Sequence, residues 1–420
     1  MNNKTLSNIF KGDKVIWMVF FFLCLVSIVE VYSASSTLTY KTGNYLAPVL
    51  KHAGLLIVGA FFMVVTLNIK CKFFKIVTPF MLLGSFITLI WVLIAGQSTN
   101  GAQRWISLVG IQFQPSEIAK GAMVLAVAQI LSAMQTEKGA DKRAMKYIFI
   151  VCAFIVPLIM LENLSTAMLL CITIFFMMVI GRIPNSQLGK LIGGTLIIIV
   201  SVLALVMLVG KAEPESAQKN LVEETVKEEP GIFTKLFHRA DTWKARIVDF
   251  TGDKNQKPED IDLDKDGQKA HANIAIATSS IIGKGPGNSD ERDFLSQAFS
   301  DFIYAIIIEE TGIEGAFFVA FLYIVLLFRT GRIANKCENN FPAFLAMGLA
   351  LLLVTQALFN MLVAVGLAPV TGQPLPLISK GGTSTIINCI YVGIILSISR
   401  SAKKKSEPLE ENVTPQISTI

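Results

Sequence analysis

The chain is poor in charge for its length, since only 16% of its 420 residues are Asp, Glu, Lys or Arg while 53% are hydrophobic. That balance excludes an ordinary soluble domain. The few cysteines show no metal-type spacing, and the three histidines, His52, His238 and His271, form no ligand cluster and are predicted to be solvated. The absence of internal repeats and of matched interrupted apolar segments argues against a secondary transporter.

What the chain does contain is about ten apolar runs of spanning or near-spanning length. Because backbone polar groups find no water inside a bilayer, such runs must form helices. We therefore predict an all-α integral membrane protein with about ten transmembrane helices. The first run has no small-residue cleavage site, which predicts an anchor rather than a removed signal peptide. The fifth and sixth runs are short and form either two crossings or a re-entrant hairpin. The predicted spans are residues 15–31, 47–67, 74–95, 118–134, 147–161, 166–180, 188–209, 312–328, 341–367 and 385–399.

Positive charge decides the orientation of these helices. One set of short connections holds 19 Lys and Arg residues and the other holds five, so the first set is predicted to be cytoplasmic. Both termini are then cytoplasmic, including a tail at residues 401–420 that we predict to be disordered. A large extracytoplasmic loop, residues 211–300, joins helices 7 and 8, and its apolar stretch 270–282 is predicted to lie as a helix along the interface. The net charge of +6 indicates anchoring to the inner leaflet and gives no argument for nucleic acid.

A first polar group lies near the outer end of the fourth helix. Glu117 and Lys120 stand at i and i+3 on one helix face, where they form either a structural salt bridge or the polar wall of a cavity open to the headgroup layer. Ionisable groups inside a membrane favour the second interpretation. Arg104, a little earlier, has a planar fork that suits phosphate.

A second group lies between the last two helices, where residues 366–384 hold three prolines and several glycines. Ser379, Gly381, Gly382 and Thr383 precede a helix whose N-terminus favours anions, although such a turn is often only a cap. Asn360, inside the ninth span, is predicted to make an interhelical hydrogen bond.

A third group follows the large loop, where Asp301 returns to the membrane surface just before an apolar segment. Aspartate is a favoured helix N-cap, so one interpretation is purely structural. The other is a general base that takes the proton of an attacking hydroxyl.

Together the stretches 100–120, 267–289, 301–315 and 360–384 resemble, in the same order, the SEDS family of bacterial integral-membrane glycosyltransferases. The resemblance implies one SEDS-type transmembrane domain over residues 1–420. It also implies polymerisation of lipid II, the undecaprenyl-pyrophosphate-linked disaccharide-peptide, into peptidoglycan strands outside the inner membrane. It further implies a class B penicillin-binding protein, a transpeptidase, as partner, together with other divisome proteins. Asn100 and residues 17–36 are more similar to the septal-division branch, FtsW, than to the elongation branch, RodA.

The resemblance also implies which residues form the site. Asp301 matches the essential aspartate and is expected to be the catalytic base, while Lys380 stands where tyrosine is common. The expected substrate-binding residues are Arg104, Glu117, Lys120, Gln268, Ser379, Lys380, Gly381, Gly382 and Thr383. No ligand set demands a metal or another cofactor, but a divalent cation could share the neutralisation of the pyrophosphate. A lipid II flippase, a division scaffold and an elongation polymerase remain alternative functions.

Overall fold

The computed structural model describes residues 11–34, 47–99, 102–108, 111–209, 267–295 and 300–403. Within these residues the fold contains eleven α-helices and a few short strands. The helices are α1 (Lys14–Ala34), α2 (Ala47–Asn68), α3 (Cys71–Ala95), α4 (Pro115–Ala133), α5 (Lys142–Glu162), α6 (Leu164–Ile180), α7 (Asn185–Val209), α8 (Gly267–Thr278), α9 (Ile303–Ala334), α10 (Asn340–Ala364) and α11 (Thr383–Lys403).

Ten of these helices occupy the ten predicted spans, which confirms the all-α membrane fold. Among the described residues, eight helices are long and apolar enough to cross a bilayer, and α6 is shorter at 17 residues. Thr166, near the start of α6, bonds Gln373 at one end of the bundle. Gly181, just after α6, accepts from Ala140 ahead of α5 at the other end. Helices α5 and α6 therefore cross the bundle fully and do not form a re-entrant hairpin.

Side-chain bonds gather the segments predicted to be cytoplasmic at one end of the bundle. Asp13 pairs with Arg329 at 2.8 Å, and its backbone N–H donates to Ser399 Oγ at 2.9 Å. Ser397 Oγ donates to the Ile69 carbonyl at 2.6 Å. The beginning of the first helix and the end of the last one thus lie at the same end, as the charge pattern requires.

Helices α2 and α11 pack against each other through glycines. A Cβ added to Gly59 would lie 2.7 Å from Cys389 Sγ, and one added to Gly393 would lie 2.6 Å from the Met63 carbonyl. Small residues at such crossings let backbones approach closely, which is how helices gain contact in lipid. Helix α11 is thereby fixed beneath the outer loop that precedes it.

Four features differ from the sequence-based expectations. A three-stranded antiparallel sheet lies between α3 and α4, formed by β1 (Gln97–Thr99), β2 (Ala102–Leu108) and β3 (Ile111–Phe113). Helix α8 buries alanines against α9 and α10 instead of only lying along the interface, because its small side chains allow close packing. Helix α9 begins nine residues before the predicted span, and α11 continues to Lys403, into the predicted tail. Most of the large loop, residues 210–266 and 296–299, and residues 404–420 of the tail lie outside the described residues.

Candidate functional site

Asp301 lies at the outer end of the bundle, in a turn immediately before α9, and is partly exposed. Ser300 Oγ donates to its Oδ1 at 3.0 Å. The N-cap position of α9 belongs to Phe302, which makes no side-chain capping bond. The carboxylate of Asp301 therefore stands one residue outside the position that the capping interpretation requires.

Two buried side chains hold the backbone on either side of this carboxylate. Nδ2 of Asn360 donates to the carbonyls of both Asp301 and Gln373, each at 2.8 Å. Oγ of Ser379 donates to the Ser300 carbonyl at 2.7 Å. Asn360 and Ser379 are only 1% and 2% exposed, so losing either bond would leave a buried carbonyl short of its donor. Asn360 thus joins α10 to a turn and a loop, not to another helix as predicted.

The segment that carries Ser379, here called the proline loop (residues 366–382), is held by its carbonyl oxygens. Its prolines have no N–H, so the segment cannot pair as a regular strand or helix. Instead, side chains from three helices, α1, α9 and α10, donate hydrogen bonds to the carbonyl oxygens of the loop. The donor–acceptor pairs are Asn360–Gln373 (2.8 Å), Gln356–Pro374 (3.0 Å), Tyr323–Pro376 and Ser27–Ile378 (2.6 Å). The proline loop is a fixed support for the Asp301 turn.

Glu117 and Lys120 form the ion pair that their spacing allows, with Nζ and Oε1 2.8 Å apart. Lys120 Nζ also donates to Gln356 Oε1 at 2.7 Å, and Gln356 in turn holds the proline loop. The two charged residues are 2% and 1% exposed, so the expected wall of an open cavity is not formed. The cause is the inward direction of Lys120, which turns toward α10 and satisfies a buried amide oxygen.

A second part of the outer surface, here called the clasp (residues 281–292), is built on two buried carboxylates of α9. Glu309 Oε1 accepts from Lys284 Nζ at 2.6 Å and from the Asp290 N–H at 3.1 Å. Glu310 Oε2 accepts from the Gly287 N–H at 3.0 Å. The hydrogen bonds to Glu309 and then to Asp290 raise the pKa of Lys284, so this cation stays charged. These glutamates lie in the stretch 301–315 that carries the family resemblance, but the sequence does not indicate what they bind.

Two glycines let the backbone of the clasp pack closely against the backbone of α9. Gly312 has φ +70°, a left-handed conformation inside the helix, and Gly283 has φ +80°. A Cβ on Gly312 would lie 2.0 Å from the Ile281 carbonyl, and one on Gly283 would lie 2.4 Å from the Glu310 carbonyl. The left-handed conformation of Gly312 interrupts α9 at this residue. Only glycine fits both that conformation and the available space. The short first part of α9 thus carries Asp301 at one end and the clasp at the other.

Three other predicted site residues lie at the start of α11: Lys380 and Gly382 precede the helix, and Thr383 is its first residue. Thr383 Oγ1 donates to the Gln112 carbonyl of β3 at 3.1 Å, which ties the start of α11 to the small sheet. Gly382 has φ +56° in the same turn. Lys380 is partly buried, and burial, followed by the nearby charge of Lys51, lowers its pKa. An anion bound beside Lys380 would stabilise its charged form.

Two predicted residues are less closely defined. Gln268 lies in the first turn of α8 and is partly exposed. Arg104 lies in β2, where the register shifts between Gln97 and Ser98 leave it as the extra residue of a bulge. Its side chain lies outside the described residues. Within the described parts of the chain, no group of three or more histidine, cysteine or acidic side chains could hold a metal ion.

The prediction that the histidines are solvated was wrong for His52 and His271, the two that the structure describes. His52 is 1% exposed and its Nε2 lies 2.7 Å from Ser27 Oγ. His271 Nδ1 lies 2.5 Å from Glu291 Oε2, and the ring stacks on Phe294. Both were missed because a lone histidine carries no signal of its partner when that partner is distant in sequence. His238 lies outside the described residues.

This fold and site define a multi-pass membrane protein that presents a carboxylate beside a rigid loop at the outer end of its bundle. Residues 13–404 match the FtsW/RodA/SpoVE family, described as cell cycle proteins, and the chain belongs to that family. The family resemblance found in the sequence motifs is confirmed.

Relatives align with this chain along nearly their whole length. A protein of Geobacter sp. (strain M18) named probable peptidoglycan glycosyltransferase FtsW is 30% identical over 393 residues, which cover 92% of this chain and 96% of that protein. A protein of Enterococcus hirae with the same name is 26% identical over 410 residues, covering 95% and 96%.

Solved structures show the same fold. A chain from a peptidoglycan synthase complex, described for its structural coordination of polymerization and crosslinking, superposes with a TM-score of 0.65 at 22% identity and covers 93% of this chain and 98% of its own. The rod shape determining protein RodA of Thermus thermophilus superposes with a TM-score of 0.60 at 21% identity, covering 93% and 97%. At these identities the likeness establishes the architecture.

Proposed function

We propose that this protein is a peptidoglycan glycosyltransferase that polymerises lipid II into glycan strands at the outer face of the inner membrane. The single observation that carries the proposal is the position of Asp301. Its carboxylate is partly exposed at the outer end of the bundle, while Asn360 and Ser379 fix the backbone beside it. The name shared by the relatives supports the same activity.

The chemistry requires a sugar hydroxyl to displace a lipid pyrophosphate at an anomeric carbon. We assign Asp301 as the base that takes the hydroxyl proton, a role that contributes about 10²–10⁴ in rate. The departing pyrophosphate carries negative charge, and Lys380 and Arg104 are the cations proposed to neutralise it. The N-terminus of α11, at Gly381, Gly382 and Thr383, favours an anion in the same region. A divalent cation is an additional candidate for this work, and chelation of the purified complex tests it.

The buried pair Glu117 and Lys120 is proposed to support the substrate site from beneath, since Lys120 bonds Gln356, whose amide holds the proline loop. Replacing both by neutral residues of similar size, Glu117→Gln with Lys120→Met, removes the charges as a pair. Loss of polymerisation with stability retained would support this role. Gln268, which is partly exposed, is proposed to contact substrate, whereas Ser379 is buried and supports the Asp301 turn. Full activity would assign the pair to structure alone.

We further propose septal synthesis with a class B penicillin-binding protein, a transpeptidase, alongside other divisome proteins. The name FtsW on the relatives and the synthase complex among the structural neighbours support this assignment. A fluorescent fusion at the division site would agree with it. A fusion spread along the lateral wall would instead indicate the elongation role.

The decisive experiment compares Asp301→Asn with wild type after co-purification with the transpeptidase and addition of lipid II. We expect Asp301→Asn to lose at least about 10²-fold in polymer formation. Glu314→Gln, an equally conservative change of an exposed carboxylate further along α9, is the matched control and should retain activity. Equal polymer from wild type and Asp301→Asn would refute the assignment. Lipid scrambling without polymer would favour a flippase.

A further inference from the structure

The buried His52 lies in α2, far in sequence from every motif, yet it contacts the support of the proposed base. We propose that His52 and Ser27 form a positioning pair that fixes the proline loop and, through it, the Asp301 turn. This inference rests on the proposed role of Asp301 and adds two residues that the sequence analysis did not assign to the site. Neither His52 nor Ser27 needs to touch substrate.

The direction of the two hydrogen bonds follows from the number of protons available. Ser27 Oγ lies 2.6 Å from the Ile378 carbonyl, which can only accept, so the single hydroxyl proton of Ser27 points there. The 2.7 Å contact between Ser27 Oγ and His52 Nε2 must then have the imidazole as donor. His52 is therefore the Nε2–H tautomer, and its buried Nδ1, which has no partner among the described residues, carries the lone pair.

The bond at Ile378 restrains a strained position. Leu377 has φ +67°, a conformation that is unfavourable for leucine and persists only where its surroundings enforce it. Side chains hold the carbonyls on both sides of Leu377, that of Pro376 by Tyr323 and that of Ile378 by Ser27. Without the Ser27 bond, the loop would be free to relax toward ordinary backbone angles.

The next residue transmits this position to the proposed base. Ser379 follows Ile378 directly, and its hydroxyl donates to the Ser300 carbonyl at 2.7 Å. Ser300 Oγ in turn donates to Asp301 Oδ1 at 3.0 Å. A shift of the Ile378–Ser379 peptide therefore moves the carboxylate that must meet the acceptor hydroxyl, and an error of this kind lowers turnover.

The kinetic test exploits the geometry of side-chain amides. His52→Gln can place an N–H where Nε2–H stood, whereas His52→Leu fills similar space without a donor. We expect His52→Leu to lower kcat about tenfold, the equivalent of one hydrogen bond of about 1.4 kcal/mol, with little change in KM for lipid II. His52→Gln should retain most of kcat. Equal kcat for folded His52→Leu and wild type would overturn the proposal, as would a loss that His52→Gln does not rescue.

A spectroscopic test does not depend on activity. The full chain has only three histidines, so a preparation labelled with ¹⁵N-histidine and held in nanodiscs gives few imidazole signals, and His52→Gln identifies the one that belongs to His52. We expect a neutral ring protonated at Nε2, whose signal moves in Ser27→Ala. Ser85→Ala, which removes another buried hydroxyl, is the control that should leave the signal in place. A ring protonated at Nδ1 would refute the pair. If Asp301→Asn were active while the Nε2–H tautomer was found, the base assignment would fail and the hydrogen-bonded pair would stand.

Discussion

The buried pair Glu117–Lys120 gives the sharpest quantitative prediction. Lys120→Met removes a cation that lies 2.8 Å from Glu117 Oε1 and 2.7 Å from Gln356 Oε1. In the part of the chain that the structure describes, Glu117 Oε2 already has no hydrogen-bond partner, so the carboxylate would be left buried without compensation. Breaking a buried pair in this way costs about 3–5 kcal/mol of the free energy of unfolding.

Removing both charges should cost much less than removing one. In the double variant Glu117→Gln with Lys120→Met no charge remains to be desolvated, and we expect stability within about 1 kcal/mol of wild type. The coupling between the two sites is then at least about 2 kcal/mol, the cost of Lys120→Met less that of the double variant, since the single changes do not add. Asp290→Asn, which breaks the pair of Lys284 with a side chain that is 78% exposed, should cost less than about 1 kcal/mol.

The assay is unfolding of the purified protein in bicelles by increasing SDS, followed by tryptophan fluorescence. Each variant is measured singly and in combination, so that the free energies close a double-mutant cycle. A cost below about 1 kcal/mol for Lys120→Met, or single costs that simply add in the double variant, would show that the pair is not buried as described.

Three further predictions concern the site. Gly312→Ala should destabilise the protein and abolish polymer formation, because its Cβ would meet the clasp backbone at φ +70°. Gly331→Ala, whose Cβ would have its nearest contact at 3.9 Å, should be tolerated. Equal thermal stability of the two variants would contradict this. Lys380→Arg should extend activity to higher pH, because burial and a nearby cation lower the pKa of Lys380 and its charge is lost as pH rises through that value; identical alkaline limbs of kcat/KM would argue against it. Asn360→Ala should lower kcat roughly tenfold or more, since both of its donated bonds are lost. Gln356→Ala, which loosens the proline loop without touching the Asp301 turn, should lower kcat less. The reverse order in a polymerisation assay would be inconsistent with the geometry.

The helices were predictable from sequence because a bilayer admits few alternatives for long apolar runs. Their ends were less predictable, since the predicted span began at Gly312 while the structure begins α9 at Ile303. The small outer sheet was missed, although the sequence between the third and fourth apolar runs contains a hairpin signal. Asn100-Gly101 is a strong two-residue hairpin sequence, and it stands between β1 and β2.

The motifs located Asp301 and its surroundings but not the bonds that fix them. Asn360 and Ser379 belonged to recognisable stretches, yet their acceptors are backbone carbonyls, which have no residue-type signature. The contribution of His52 depends on a contact with a residue 25 positions earlier and on a carbonyl 351 positions from that residue. Pairings of this kind arise from packing alone, so only coordinates reveal them.

The central claim is that the Asp301 carboxylate lies within reach of a lipid-borne sugar. Its most direct test is the structure of the Asp301→Asn protein bound to its transpeptidase and to lipid II, since the amide blocks turnover while keeping the shape of the side chain. We predict an acceptor hydroxyl about 3 Å from the side chain of residue 301, with the pyrophosphate toward Lys380 and the start of α11. Lipid-linked sugars held at another part of the bundle, beyond the reach of that side chain, would contradict the account.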